Sequence, residues 1–117
     1  MRFMLMTTDD GSAAQNQDES MFVEMGKFIE EMSKAGVLLA TGGLEPGGTR
    51  IVSSGGKVTV TDGPFAEAKE TVVGFALIEV RSREEAIELS KRFWAIVGDG
   101  EGVIQQVFGP GDPAPGA

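Results

Sequence analysis

Residues 71–80 read Thr-Val-Val-Gly-Phe-Ala-Leu-Ile-Glu-Val, and Val72, Val73, Phe75, Ala76, Leu77, Ile78 and Val80 leave few polar positions on either face of an extended strand. A strand points successive side chains to opposite sides of its sheet, so a run of this kind has to be covered from both sides. Residues 2–7, Arg-Phe-Met-Leu-Met-Thr, form a second β-compatible run with the same two-sided character. Any fold of this chain must therefore hide both faces of a sheet that holds these two strands.

The segments between them decide what does the hiding. Residues 8–18 are polar and contain Gly11, Ser12, Asn16 and Asp18, a loop with an N-cap candidate at its end. Over 19–35, Phe22, Met25, Ile29 and Met32 recur at spacings of three and four, with Glu24, Lys27, Glu30, Glu31 and Lys34 on the other side. This pattern predicts an amphipathic helix that stops at Gly36. Residues 37–41 read as a short buried strand, and the glycine-rich 42–48 breaks regular structure. Residues 50–53 and 57–61 flank Ser54-Gly55-Gly56 as a hairpin, and Asp62-Gly63-Pro64 makes a second turn. A second helix over 82–97 opens on a capping box of Ser82 and Glu85, with Ala86, Leu89, Phe93 and Ile96 inward. Residues 103–108 are the last strand. The tail, 109–117, holds three prolines and nothing to pack, so it is expected to be disordered, which leaves a single domain over 1–108.

The order is β-α-β-hairpin-β-α-β. Two helices cover only one face of a four-stranded antiparallel sheet, so the expected class is α+β, ferredoxin-like, with an inserted β-hairpin. The uncovered face is then apolar as well. A second copy, packed sheet to sheet, is the simplest cover, and a homodimer of the dimeric α/β-barrel type is expected.

Composition narrows the chemistry. The net charge is −8, from ten basic residues scattered among eighteen acidic ones, which argues against nucleic acid and against anionic membranes. No apolar run approaches the roughly 18 residues of a membrane span, and the apolar start is too short for a signal peptide, so a cytoplasmic protein is expected. There is no Cys, no His and no Tyr. Disulfides, thiolate nucleophiles and the commonest metal ligand are excluded, and acid–base work would fall to Asp, Glu or Lys. Neither a metal nor a cofactor is expected. Gly55-Gly56-Lys57 is no phosphate loop, because Val58 stands where Ser or Thr is required and Ile51 where the first Gly is required. Trp94 reads as a half-buried packing residue, and the methionines of the first helix as core.

The sharpest local pattern is Asp62-Gly63-Pro64-Phe65-Ala66-Glu67-Ala68-Lys69-Glu70. With Gly42-Gly43-Leu44, Gly56-Lys57 and Gly74-Phe75 it makes the chain resemble the YCII-related family, in the branch named for the motif Asp-Gly-Pro-Phe (DGPF). The resemblance implies a ferredoxin-like fold that dimerises through its sheet. Relatives carry a His–Asp pair proposed as an acid–base dyad, and a few act on small aromatic compounds; with no His here, that pair does not carry over. Members of the branch often lie beside genes for extracytoplasmic-function sigma factors, which implies an accessory regulatory role.

Two readings of the motif stand side by side. In one, Asp62 caps its own turn and Phe65 plugs the core. In the other, Asp62 is a catalytic carboxylate, and Arg50, Glu67, Lys69 and Glu70 hold a ligand near the dimer seam, with crowded acids raising one another's pKa. The missing His, Cys and Tyr favour a dimeric module that binds a small molecule or a protein partner such as a sigma factor. The alternative is a small-molecule lyase, isomerase or hydrolase that uses Asp62 and its neighbouring carboxylates.

Overall fold

A computed structural model describes residues 1–9, 19–45, 47–62 and 71–113. The elements are β1 (Arg2–Asp9), α1 (Glu19–Lys34), β2 (Leu38–Gly43), β3 (Thr49–Ser54), β4 (Lys57–Asp62), β5 (Thr71–Glu79), α2 (Arg83–Val97) and β6 (Glu101–Val107). Strands pair antiparallel in the order β2-β5-β1-β6, while β3 and β4 form a separate two-stranded sheet. The two-sided apolar runs, β1 and β5, take the two central places. The fold is α+β and ferredoxin-like. No helix among the described residues is long and apolar enough to cross a membrane.

Register decides which side chains meet the helices. Phe3 stands opposite Ile78, and Leu5 lies between Ala76 on one side and Ile104 on the other. Phe3, Ile78, Val80 and Ala86 are buried together, with Leu5, Leu38, Leu89 and Ile104 packed around them. Burying a side chain the size of Phe3 contributes roughly 1.5–3 kcal/mol, so this small cluster supplies much of what holds helices to sheet. By alternation Met4 and Met6, with Leu77, Phe75 and Val103 in register beside them, point to the face that neither helix covers.

Three expectations are corrected. β2 is an edge strand with most of its residues exposed rather than a buried one, because β5 flanks it on one side only. The inward stripe of α1 runs through Met21, Met25, Phe28 and Met32, while Phe22 is 57% exposed. Spacings of four, three and four keep those positions in line, and Phe22 lies about 100° away. The last strand begins two residues earlier than its apolar content indicates, since Glu101 and Gly102 pair with Thr8 and Thr7.

The helix ends follow their sequence signals. Gly36, at φ 75°, closes α1 with the N–H of Val37 donating to the Met32 carbonyl at 3.0 Å and its own N–H to Ser33 at 3.1 Å. That double bond set satisfies carbonyls the helix would otherwise leave bare. At α2, the Ser82 hydroxyl accepts from the Glu85 N–H at 3.2 Å. The Glu85 carboxylate accepts from the N–H of Arg81, one residue before the cap.

Arg92 of α2 ties the helices together. Its guanidinium donates to both oxygens of Glu31 in α1, at 2.9 and 3.1 Å, and lies 4.9 Å from the centre of the Phe28 ring. The hydrogen bond from Arg92, and then its charge, hold the Glu31 carboxyl below the usual carboxylate value. A carboxyl lowered on folding adds stability above its unfolded pKa, and that stability is lost as pH falls through the folded one. Arg92→Gln is therefore expected to return Glu31 to the ordinary carboxylate range in a carboxyl-carbon NMR titration. The stability gap between the two proteins should close as pH falls below that range. Identical Glu31 titrations in both would exclude the clamp.

Candidate functional site

The residues singled out by their motif lie on or beside the β3–β4 hairpin. Gly55 and Gly56, at φ 56° and 78°, make its two-residue turn, which needs positive φ at both positions. Thr49 pairs with Asp62 and Arg50 with Thr61. Adjacent pairs project to opposite faces, so Asp62 and Arg50 stand on different sides of the hairpin and do not converge within one chain. Asp62 ends β4, and its Oδ1 accepts from the Thr49 hydroxyl at 2.9 Å. Its recorded partner thus lies across the hairpin. Glu67, Lys69, Glu70 and Phe65 lie outside the described residues.

A different site forms between helices and sheet. A cavity of about 250 Å³ opens there, with Met25, Phe28 and Ile29 of α1 and Leu89 and Phe93 of α2 as walls. Leu5, Ala76 and Ile104 contribute to its floor. The space exists because one row across the sheet carries only a threonine between glycines. Thr7 of β1 stands opposite Gly74 of β5 on one side and Gly102 of β6 on the other. Glycine inside a strand removes packing and often marks a place where something approaches closely. Here Trp94 does so: a Cβ on Gly102 would lie 3.1 Å from its ring and one on Gly100 2.5 Å from it.

The lining is apolar apart from three hydroxyls, those of Thr7, Thr41 and Ser90, and includes no charged side chain among the described residues. The Thr41 hydroxyl donates to the Phe75 carbonyl at 2.9 Å, which leaves its oxygen free in lone pairs to accept. Such a surface holds a molecule by desolvation and orients it by a few hydrogen bonds. Among the described residues it presents no carboxylate or amine.

Sequence reasoning did not find this site. The available signals were Gly74 and Gly102 inside strands and Ser90 on the inward side of α2. Each is unremarkable alone, and only the register puts them in one place.

The family model for the YCII-related domain matches residues 1–100. The chain belongs to the YCII-related family. An uncharacterised protein of Rhizobium meliloti (strain 1021) is 31% identical to it over 80 residues, which cover 67% of this chain and 64% of that protein. The chain thus spans just under two thirds of the relative's length.

The glycines of the row differ in what a methyl group would meet. On Gly102 it would lie 2.5 Å from the carbonyl oxygen of Met6, a backbone atom held by the β1–β6 register. On Gly74 it would lie 2.8 Å from the Thr7 hydroxyl, which can rotate away. Gly102→Ala is expected to cost about 1–3 kcal/mol, the usual range for overpacking, and Gly74→Ala about 1 kcal/mol or less. Urea denaturation measures both, and equal costs would exclude this account of the row.

Proposed function

We propose that this YCII-related chain is a dimeric binding module whose ligand is a small, neutral, mainly apolar molecule held in the cavity between helices and sheet. The observation that carries the reading is the lining itself: apolar walls with three hydroxyls and no charged side chain among the described residues. A cavity near 250 Å³ exceeds the ~150 Å³ that accommodates a single benzene ring, so a two-ring aromatic or a branched aliphatic of similar bulk fits. A charged ligand would lose its hydration without a counter-charge and is disfavoured. Thr7, Thr41 and Ser90 suit one hydroxyl or carbonyl on the ligand.

Dimerisation belongs to the same reading. Met4, Met6, Phe75, Leu77 and Val103 make the uncovered side of the sheet apolar, and a second copy offers the same surface in return. The run Asp62-Gly63-Pro64-Phe65 supports placing the chain in the DGPF branch of its family.

The test is a thermal-shift titration with 2-naphthol against its carboxylated counterpart, 2-naphthoate. At ten times its Kd a ligand confined to the native state adds about 1.4 kcal/mol, or a Tm rise of roughly 5 °C or more for a domain of this size. 2-Naphthol is expected to produce that rise, 2-naphthoate to produce little, and Ser90→Leu, which fills the cavity, to abolish the response while keeping the fold. A shift for 2-naphthoate alone, or an undiminished shift in Ser90→Leu, would refute the assignment.

A further inference from the structure

The β3–β4 hairpin stands apart from the body. It packs against no helix and no other strand to more than a glancing extent among the described residues, and all twelve of its strand residues are exposed. One face carries Ile51, Val58 and Val60, at 66%, 60% and 63% exposure, in the register Ile51↔Val60 and Ser53↔Val58. The other carries Arg50, Lys57, Thr59 and Thr61 around Val52. A lone two-stranded hairpin is marginal in water, and three neighbouring β-branched side chains facing solvent give it no support. Such an arm gains its order from a surface that covers it.

From this we infer that the arm grips a second copy of the chain, laying Ile51, Val58 and Val60 on the partner's apolar surface. The inference rests on the dimeric reading above and names a part of the interface that the sheet face alone does not supply. Area supports a second copy. The chain exposes 8451 Å², about 2,300 Å² more than a compact monomer of its mass. A standard interface buries only about 800 Å² per partner, so sheet face and arm can both be covered with exposed area to spare.

Charge points the same way. The hairpin, Thr49–Asp62, holds Arg50 and Lys57 against the single acid Asp62, so it stands at +1 and the remainder of a chain at −8 stands at −9. The net positive arm is drawn toward the anionic body of another copy, which steers the encounter and disfavours a basic partner, while the contact itself is made by the opposite, apolar face. The arm also has a fixed origin. It interrupts the chain between β2 and β5, at the end of the sheet where Gly43, Gly74, Thr7 and Gly102 form their row. A partner held by this arm therefore sits beside the end of the sheet that bears the cavity row.

Sedimentation velocity on the intact chain and on Ile51→Thr/Val60→Thr tests this. Threonine keeps the branched shape that suits a strand, and both positions are exposed in the single chain, so folding, checked by circular dichroism, should not change. The intact chain is expected to be a dimer at micromolar concentration, with the double variant at least tenfold weaker in association and Val52→Thr, on the opposite face, unaffected. A dimer equally tight in the double variant would overturn the arm and leave the dimeric reading in place. A monomeric intact chain would overturn both. Equal weakening in Val52→Thr would assign the effect to hairpin stability and overturn the contact.

Discussion

Phe3 and Ile78 face each other across the central pair of strands, and Ala86 closes on them from the second helix. This contact sets the side of the sheet that the helices cover. Because strand side chains alternate, it also sends Met4, Met6, Phe75, Leu77 and Val103 to the other side. A one-residue slip of β1 against β5 would exchange the two sets, and the buried Phe3 opposes it. The helix-facing cavity and the bare apolar face are thus two consequences of one register.

The cavity depends on absences. Where Phe3 and Leu5 fill the space under the helices, the next position on the same face of β1 is Thr7, flanked by two glycines. The helices stay at the separation set by the larger side chains of the core, and the row of small residues leaves a hole beneath Phe28 and Phe93. Trp94 packs close to Gly100 and Gly102, where a Cβ would run into its ring. A site built this way suits recognition by shape and desolvation. That agrees with a chain lacking His, Cys and Tyr, the residues on which neutral-pH chemistry most often relies.

The hairpin follows a different rule. Its strands pair with each other across a two-glycine turn and leave their outer edges to solvent, so pairing sets its shape but gives it little support. Its apolar side chains remain exposed. The exposed valines and isoleucine on one face and the cations on the other make sense as one half of a contact. The run Asp62-Gly63-Pro64-Phe65 begins at the base of this arm, at Asp62, whose carboxylate accepts from the Thr49 hydroxyl.

Local pattern was enough for much of this. Strand and helix order, the hairpin turn at Gly55-Gly56, the cap at Ser82, the stop at Gly36 and the two-sided character of β1 and β5 were all legible, because each rests on periodicity or backbone preference within a few residues. The α+β class and the need for cover on a second face followed from those parts. Long-range register decided the rest. It put β2 at an edge, and packing left Phe22 exposed beside a stripe that keeps Met21, Met25, Phe28 and Met32 inward. Thr7, Gly74, Gly102 and Ser90 gathered into one cavity although they are 67, 28 and 12 residues apart along the chain. A glycine in a strand carries no sign of what stands opposite it. Which missing side chains add up to a site is a property of pairing between distant segments, and that pairing is an outcome of tertiary packing.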